Sequence, residues 1–125
     1  MYLLINTTEQ DTISLTLFDK EKKNEKKVEA KNRDILIVLN EFLGELSLNK
    51  KDIQGIAVIV GEGSFTSTRL AVTVANTFAY AQKKPVLAIS AKEAEDFENL
   101  ALEIEKQPIG QYISASYSAE PNIGK

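Results

Sequence analysis

The chain contains no cysteine and no histidine. Without cysteine there is no disulfide framework, no thiolate zinc site and no sulfur nucleophile. Without histidine, the commonest general base and the commonest transition-metal ligand are both missing. The basic field of an independent nucleic-acid binder is also missing, because the net charge is −3 and the pI about 5.1. No apolar run approaches the roughly 20 residues of a membrane-spanning helix, so no membrane association is expected. The amino terminus lacks the basic start and long apolar core of a signal peptide, and the expected setting is cytoplasmic.

The 125 residues, 43% hydrophobic and 26% charged, have the size and composition of one globular domain. Residues 2–5 are a short continuous apolar run, as in a central strand. Ile13, Leu15 and Leu17 alternate with Ser14, Thr16 and Phe18 and predict a second strand. Residues 19–27, rich in Lys and Glu, predict a hairpin tip and a polar edge strand running to about Ala30; lysines there discourage edge-to-edge pairing.

A first helix is predicted over 34–46. Ile35, Leu39, Phe42 and Leu46, with Leu36 and Leu43 beside them, form one apolar face. Ile37 and Gly44 fall on the opposite side, where an interior glycine costs roughly 1 kcal/mol relative to alanine. A small residue there would let another helix approach closely. Residues 56–60 do not alternate and predict a central strand covered on both faces. A second helix is predicted over 66–82, ended by Lys83-Lys84-Pro85. Residues 86–89 predict another buried strand. Ser90-Ala91-Lys92-Glu93 has the form of a capping box and predicts the start of a third helix, with Ala94, Phe97, Ala101 and Ile104 on one face. The order β-β-β-α-β-α-β-α predicts an α/β fold: one ribonuclease-H-like unit with a five-stranded mixed sheet and three helices over 1–107. A tail over 108–125 is expected to pack on the domain or on a partner.

Gly61-Glu62-Gly63-Ser64-Phe65-Thr66-Ser67-Thr68-Arg69 lies between the fourth strand and the second helix. A glycine turn at a helix start can gather backbone N–H groups around a phosphate. The turn is not a Walker loop, for it lacks Gly-Lys-Ser/Thr, and it lacks the third glycine of a dinucleotide fingerprint. Glu62 would set a negative charge beside the phosphate. Nucleases of this architecture gather carboxylates at the end of the first strand and after the fourth to hold divalent metals. Here the first strand ends in Asn6, so that constellation is absent and neither a metal site nor a catalytic residue is expected. The second helix carries a single charge, Arg69, from 66 to 82. Such a helix is usually covered on more than one side.

Gly61-x-Gly63-Ser64-Phe65-Thr66-x-x-Arg69, set after a buried strand and before a small-residue helix, resembles the signature of the bacterial TsaB (YeaZ) family. That signature usually reads Gly-Pro-Gly-Ser-Phe-Thr-Gly-x-Arg. Leu4-Ile5-Asn6-Thr7-Thr8 resembles the family's opening strand and its Asp-Thr-Ser/Ala turn. Asp52-Ile53-Gln54-Gly55-Ile56-Ala57-Val58 and Lys84-Pro85-Val86-Leu87-Ala88-Ile89-Ser90 resemble the segments on either side of the signature unit. The match spans about residues 2–97. Asn6 stands where Asp is usual, Glu62 for Pro and Ser67 for Gly, and a histidine often found near the first helix is missing.

The resemblance implies a fold related to actin, Hsp70 and sugar kinases, built from two units, of which this chain would be a short form holding the first. Tyr117-x-x-Glu120-Pro121-Asn122-Ile123 would be a shortened remnant of the usual carboxy terminus. It also implies a non-enzymatic role, as an inactive paralogue that pairs with the catalytic subunit TsaD, and with the ATPase TsaE, in making threonylcarbamoyladenosine in tRNAs that read ANN codons. Contact with tRNA would be indirect, and no cofactor is implied. Asn6, Thr7, Thr8, Gly61, Gly63 and Ser64 would be a vestigial nucleotide turn.

Family members pair through their first two helices. Carried over, the partner interface comprises Ile37, Asn40, Glu41 and Gly44 on the first helix and Arg69, Val72, Thr73, Asn76, Ala79 and Tyr80 on the second. On a helical wheel Leu70, Val74, Phe78 and Ala81 fall together and are expected to face the sheet. Val72, Ala75, Asn76 and Ala79 then face outward, with Arg69 at the margin; a fold-stabilising contact from Arg69 to a strand or loop carbonyl is the other reading of that residue. Without TsaD the same surface would support a homodimer. The alternative function is an ATP-binding phosphotransferase or ATPase using the 61–69 turn. A peptidase finds no nucleophile–base pair or metal site in this sequence.

Overall fold

The computed structural model describes residues 1–29 and 34–114. Three strands open the chain, β1 (Tyr2–Asn6), β2 (Thr12–Phe18) and β3 (Lys23–Glu29). They are followed by α1 (Ile35–Glu45), β4 (Gly55–Ile59), α2 (Phe65–Gln82), β5 (Val86–Ile89) and α3 (Phe97–Glu105). The sheet runs β3-β2-β1-β4-β5, antiparallel between β1, β2 and β3 and parallel between β1, β4 and β5. This is the mixed five-stranded α/β unit that the order of elements predicts. The predicted Ala30 end of β3 and the Tyr117–Ile123 motif lie outside the described residues.

The central strands lack alternation because both faces are covered. Leu3 and Ile5 of β1, Ile56 and Val58 of β4, and Ile13, Leu15 and Leu17 of β2 point into one apolar cluster with α1 and α2. Tyr2, Leu4, Phe18, Ala57 and Ile59 point into a second cluster with Leu100, Ala101 and Ile104 of α3. At the β2–β3 tip the Asp19 carboxylate accepts the N–H groups of Glu21 and Lys22, both at 2.8 Å. Those bonds, that from Lys22 first, hold its carboxyl below the usual value. β3 is half-exposed along its length, and Lys26 pairs with Glu45 of α1 at 2.7 Å.

Helix ends follow local chemistry. Asp34 caps α1 by accepting the Leu36 N–H at 2.7 Å. α2 stops where Lys83 adopts a left-handed conformation, φ 58°, ahead of Pro85. The capping box at Ser90 and Glu93 is present, with reciprocal bonds of 2.9 and 3.2 Å, but it starts only a 3-10 turn over Glu93–Glu95. α3 begins afresh at Phe97, capped by Asp96, so the single third helix predicted from Ser90 is two pieces. Among the described residues no helix is long and apolar enough to cross a membrane.

Candidate functional site

Val60, half-buried after β4, hands the chain to the glycine turn. Gly61 and Gly63 both have positive φ, 91° and 85°. A Cβ on Gly63 would lie 2.8 Å from the Thr8 Cα and 2.9 Å from the Thr7 carbonyl oxygen. Close backbone approach, as well as conformation, requires glycine there. The segment it presses on is itself folded by Asn6, whose side-chain oxygen accepts the Thr8 N–H at 2.9 Å and the Thr8 hydroxyl at 2.7 Å. Asn6, Thr7, Thr8, Gly63 and Ser64 thus lie together, with Gly61 at the turn's entry.

Ser64 caps α2, its hydroxyl accepting the Ser67 N–H at 3.0 Å. The Ser64 carbonyl takes the Thr68 N–H and, at 2.9 Å, the Thr68 hydroxyl. Beside this cap is a cavity of about 480 Å3 that Thr7, Gly63, Ser64 and Ser67 line together with Glu9 and Asp11. The helix start is therefore partly satisfied from within, and two acidic residues line the same space, Glu9 with its carboxylate paired to Lys27 at 3.2 Å. The Thr7 hydroxyl is buried against this packing without a hydrogen-bond partner among the described residues. Among the described residues no three acidic, cysteine or histidine side chains converge as a metal site would need.

The outer face of the helices differs from the wheel's prediction. On α1, Ile37, Asn40, Glu41 and Gly44 are exposed, as predicted, Ile37 by 56%. On α2 the direction is turned. Val72 and Ala79, carried over as interface residues, are buried, as is Ala75, while Leu70 is 58% exposed and Ala81 lies at the surface. The buried stripe is Thr68, Ala71, Val72, Ala75, Phe78 and Ala79. Its small side chains let α2 lie close over β4, so they serve packing against the sheet and not a partner. Phe78 faces inward as predicted, and Val74 is only partly buried against the core.

Arg69, Thr73 and Tyr80 do face outward. Arg69 stacks its guanidinium 5.2 Å from the centre of the Phe65 ring, one turn back, and reaches no carbonyl among the described residues. Asn76 is half-buried and already engaged: its amide donates to the Ile113 carbonyl and accepts the Ile113 N–H, each at 3.0 Å. Phe65 and Leu70, 61% and 58% exposed, belong to this face and were missed by the wheel. The available signal was Thr68: a hydroxyl four residues after a cap serine can bond back to it and be buried. Placing Thr68 inward turns Leu70 and Tyr80 out.

A family model described as TsaD: tRNA N6-adenosine threonylcarbamoyltransferase matches residues 25–119. The tRNA N6-adenosine threonylcarbamoyltransferase of Persephonella marina is 37% identical over 71 residues, 57% of this chain and 21% of that protein. YeaZ from Pseudomonas aeruginosa superposes with a TM-score of 0.63 at 25% identity, over 71% of this chain and 44% of its own. A P. aeruginosa protein described as similar to peptidase YEAZ gives 0.62 at 25% identity, over 72% and 44%. The chain thus spans under half the length of these relatives. Its ribonuclease-H-like sheet, its glycine turn and the family match agree: the chain belongs to the TsaD tRNA N6-adenosine threonylcarbamoyltransferase family and is YeaZ (TsaB)-like in fold.

Proposed function

We propose that the chain is a non-catalytic partner subunit in tRNA threonylcarbamoyladenosine formation, binding and stabilising a TsaD-type catalytic subunit through the outer face of α1 and α2. The observation that carries this reading is the exposure of large side chains on that face, Leu70 by 58% and Tyr80 by 71%, on a helix with one charge. Aromatic residues, arginine and exposed apolar groups together are the composition of protein–protein contact centres. The interface is Ile37, Asn40, Glu41 and Gly44 of α1 with Phe65, Arg69, Leu70, Thr73 and Tyr80 of α2; Asn76 contributes through the segment it holds. A TsaE-like ATPase completes the larger complex in the cytosol, and tRNA is met through the catalytic subunit. Alone, the chain pairs with a second copy through the same helices. The absence of histidine and cysteine from the 125 residues supports the non-catalytic part. Co-purification with the TsaD-type protein of the same genome tests it: retention by wild type and loss in Leu70→Asp are expected.

The second reading, an ATP-binding enzyme, draws on the 480 Å3 cavity beside the α2 cap. Glu9 and Asp11 in its lining weigh against a polyphosphate, and the turn is read as a vestige. Calorimetry with ATP and magnesium decides: micromolar binding would favour the enzyme.

A further inference from the structure

A groove of about 560 Å3 lies between the carboxy-terminal ends of α1 and α2 and the 3-10 turn Lys50–Asp52. Half-buried Leu48, with an edge of Leu43, which is otherwise buried in the core, supplies its apolar part. Gly44 lines it as well, and a Cβ on Gly44 would meet nothing within 4 Å. The φ of Gly44 is not positive, so neither conformation nor packing within the chain requires glycine. It nevertheless costs roughly 1 kcal/mol in a helix interior, and it keeps the groove open.

The rim is cationic in a protein of net charge −3. Lys50 and Lys51 line the groove, and Lys83 follows its lining residue Gln82. All three are exposed, and none has a carboxylate partner among the described residues. Asp52, next to Lys51, is turned back onto the Asn49 N–H at 2.9 Å, and Glu45, next to Gly44, pairs with Lys26 at 2.7 Å. The lysines are not needed to close the helix ends. Leu48 N–H bonds the Leu43 carbonyl at 2.8 Å, Ser47 N–H the Gly44 carbonyl at 3.1 Å, and Lys84 N–H the Ala79 carbonyl at 2.9 Å.

We propose that this groove receives an acidic segment of a partner protein. An apolar side chain sits on Leu43 and Leu48 above Gly44, carboxylates meet Lys50, Lys51 and Lys83, and the Asn40 and Gln82 amides bond the segment's backbone. A nucleic acid fits less well, because among the described residues the lining holds no aromatic or arginine side chain on which a base could stack. The proposal rests on the partner-subunit reading only in taking the partner to be a protein.

The test is titration of the 15N-labelled full chain with a short peptide of alternating glutamate and leucine. The same peptide with lysine for glutamate, and a single-stranded RNA, serve as comparisons. The expected result is saturable shifts of the Gly44, Asn49 and Lys51 amides with the acidic peptide alone. Joint Lys50→Glu and Lys51→Glu should weaken binding roughly tenfold or more. Gly44→Phe, whose side chain enters open space, should block it without lowering the unfolding midpoint. Shifts scattered elsewhere, indifference to both variants, or the same shifts produced by RNA or by the lysine peptide would overturn the groove assignment. A wild-type chain that takes the acidic peptide but fails to retain the TsaD-type subunit would instead overturn the function proposed above and leave the groove standing.

Discussion

The side-chain amide of Asn76 and the backbone of Ile113 close a pair of hydrogen bonds, each 3.0 Å long, across 37 residues of sequence. α3 covers the opposite sheet face from α2, so this pair brings the chain after α3 back onto α2, where Ile113 packs against the α1–α2 core. Replacing Asn76 by Ala removes both bonds and should lower unfolding free energy by about 1–2 kcal/mol. Urea unfolding measures the loss, and hydrogen exchange at Ile113 should quicken more than at Leu3 of the central strand.

Gly63 and Gly110 share a positive φ, 85° and 99°, but differ in surroundings. A Cβ at 63 meets the Thr7 and Thr8 backbone under 3.0 Å, and one at 110 meets nothing within 4 Å. Gly110→Ala should therefore cost only left-handed strain, about 1–2 kcal/mol. Gly63→Ala should cost that and roughly 1–3 kcal/mol more for the forced shift. Equal losses in paired denaturation curves would contradict the close approach.

Val72 and Thr73 are neighbours on α2 with opposite fates. Val72 is 5% exposed and sits in the core, while Thr73 faces solvent. Val72→Asp buries a charge without a partner and should destabilise by about 3 kcal/mol or more. Thr73→Asp should stay within about 0.5 kcal/mol of wild type in folding while weakening capture of the partner subunit. Circular-dichroism melts and pull-down of each variant separate the two effects.

The Tyr2 hydroxyl donates to the Glu105 carboxylate, tying β1 to α3. Burial first, then the bond to Glu105 and its charge, push the phenol up to about 12. A folded-state value above the unfolded one favours the neutral form in the fold. That contribution is complete below the ordinary value of about 10 and is lost as pH rises from there towards about 12. The unfolding midpoint should fall through that window, and Tyr2→Phe should flatten the fall.

Much of the fold could be read from local pattern. Residues 2–5 and 56–60 lack alternation because each strand has a helical layer on both sides, and the capping box read at Ser90 and Glu93 forms, although it opens only a 3-10 turn. Two features were harder to read: the inward face of α2, for which Thr68 was the one local signal, and a pairing that local pattern does not carry. α2 is apolar or small almost all round, so its wheel offers two candidate faces. Which one turns inward depends on how closely β4 lets the helix approach, and the alanines decide it. The Asn76–Ile113 pair joins α2 to a segment 37 residues on that has crossed back from the α3 face, and nothing near either residue marks the other. At the glycine turn the residue types were legible, while the pressing of Gly63 on Thr7 and Thr8 required the fold.

Pairing through the outer face of α1 and α2 can be measured on the intact subunits. Its most direct measurement is light scattering behind size exclusion of this chain mixed with the TsaD-type subunit of the same organism, for wild type, Leu70→Asp and Tyr80→Asp. A complex heavier than either component is expected for wild type, and two separate peaks for both variants, each still folded. No complex with wild type, or a complex indifferent to both charges, would contradict that pairing.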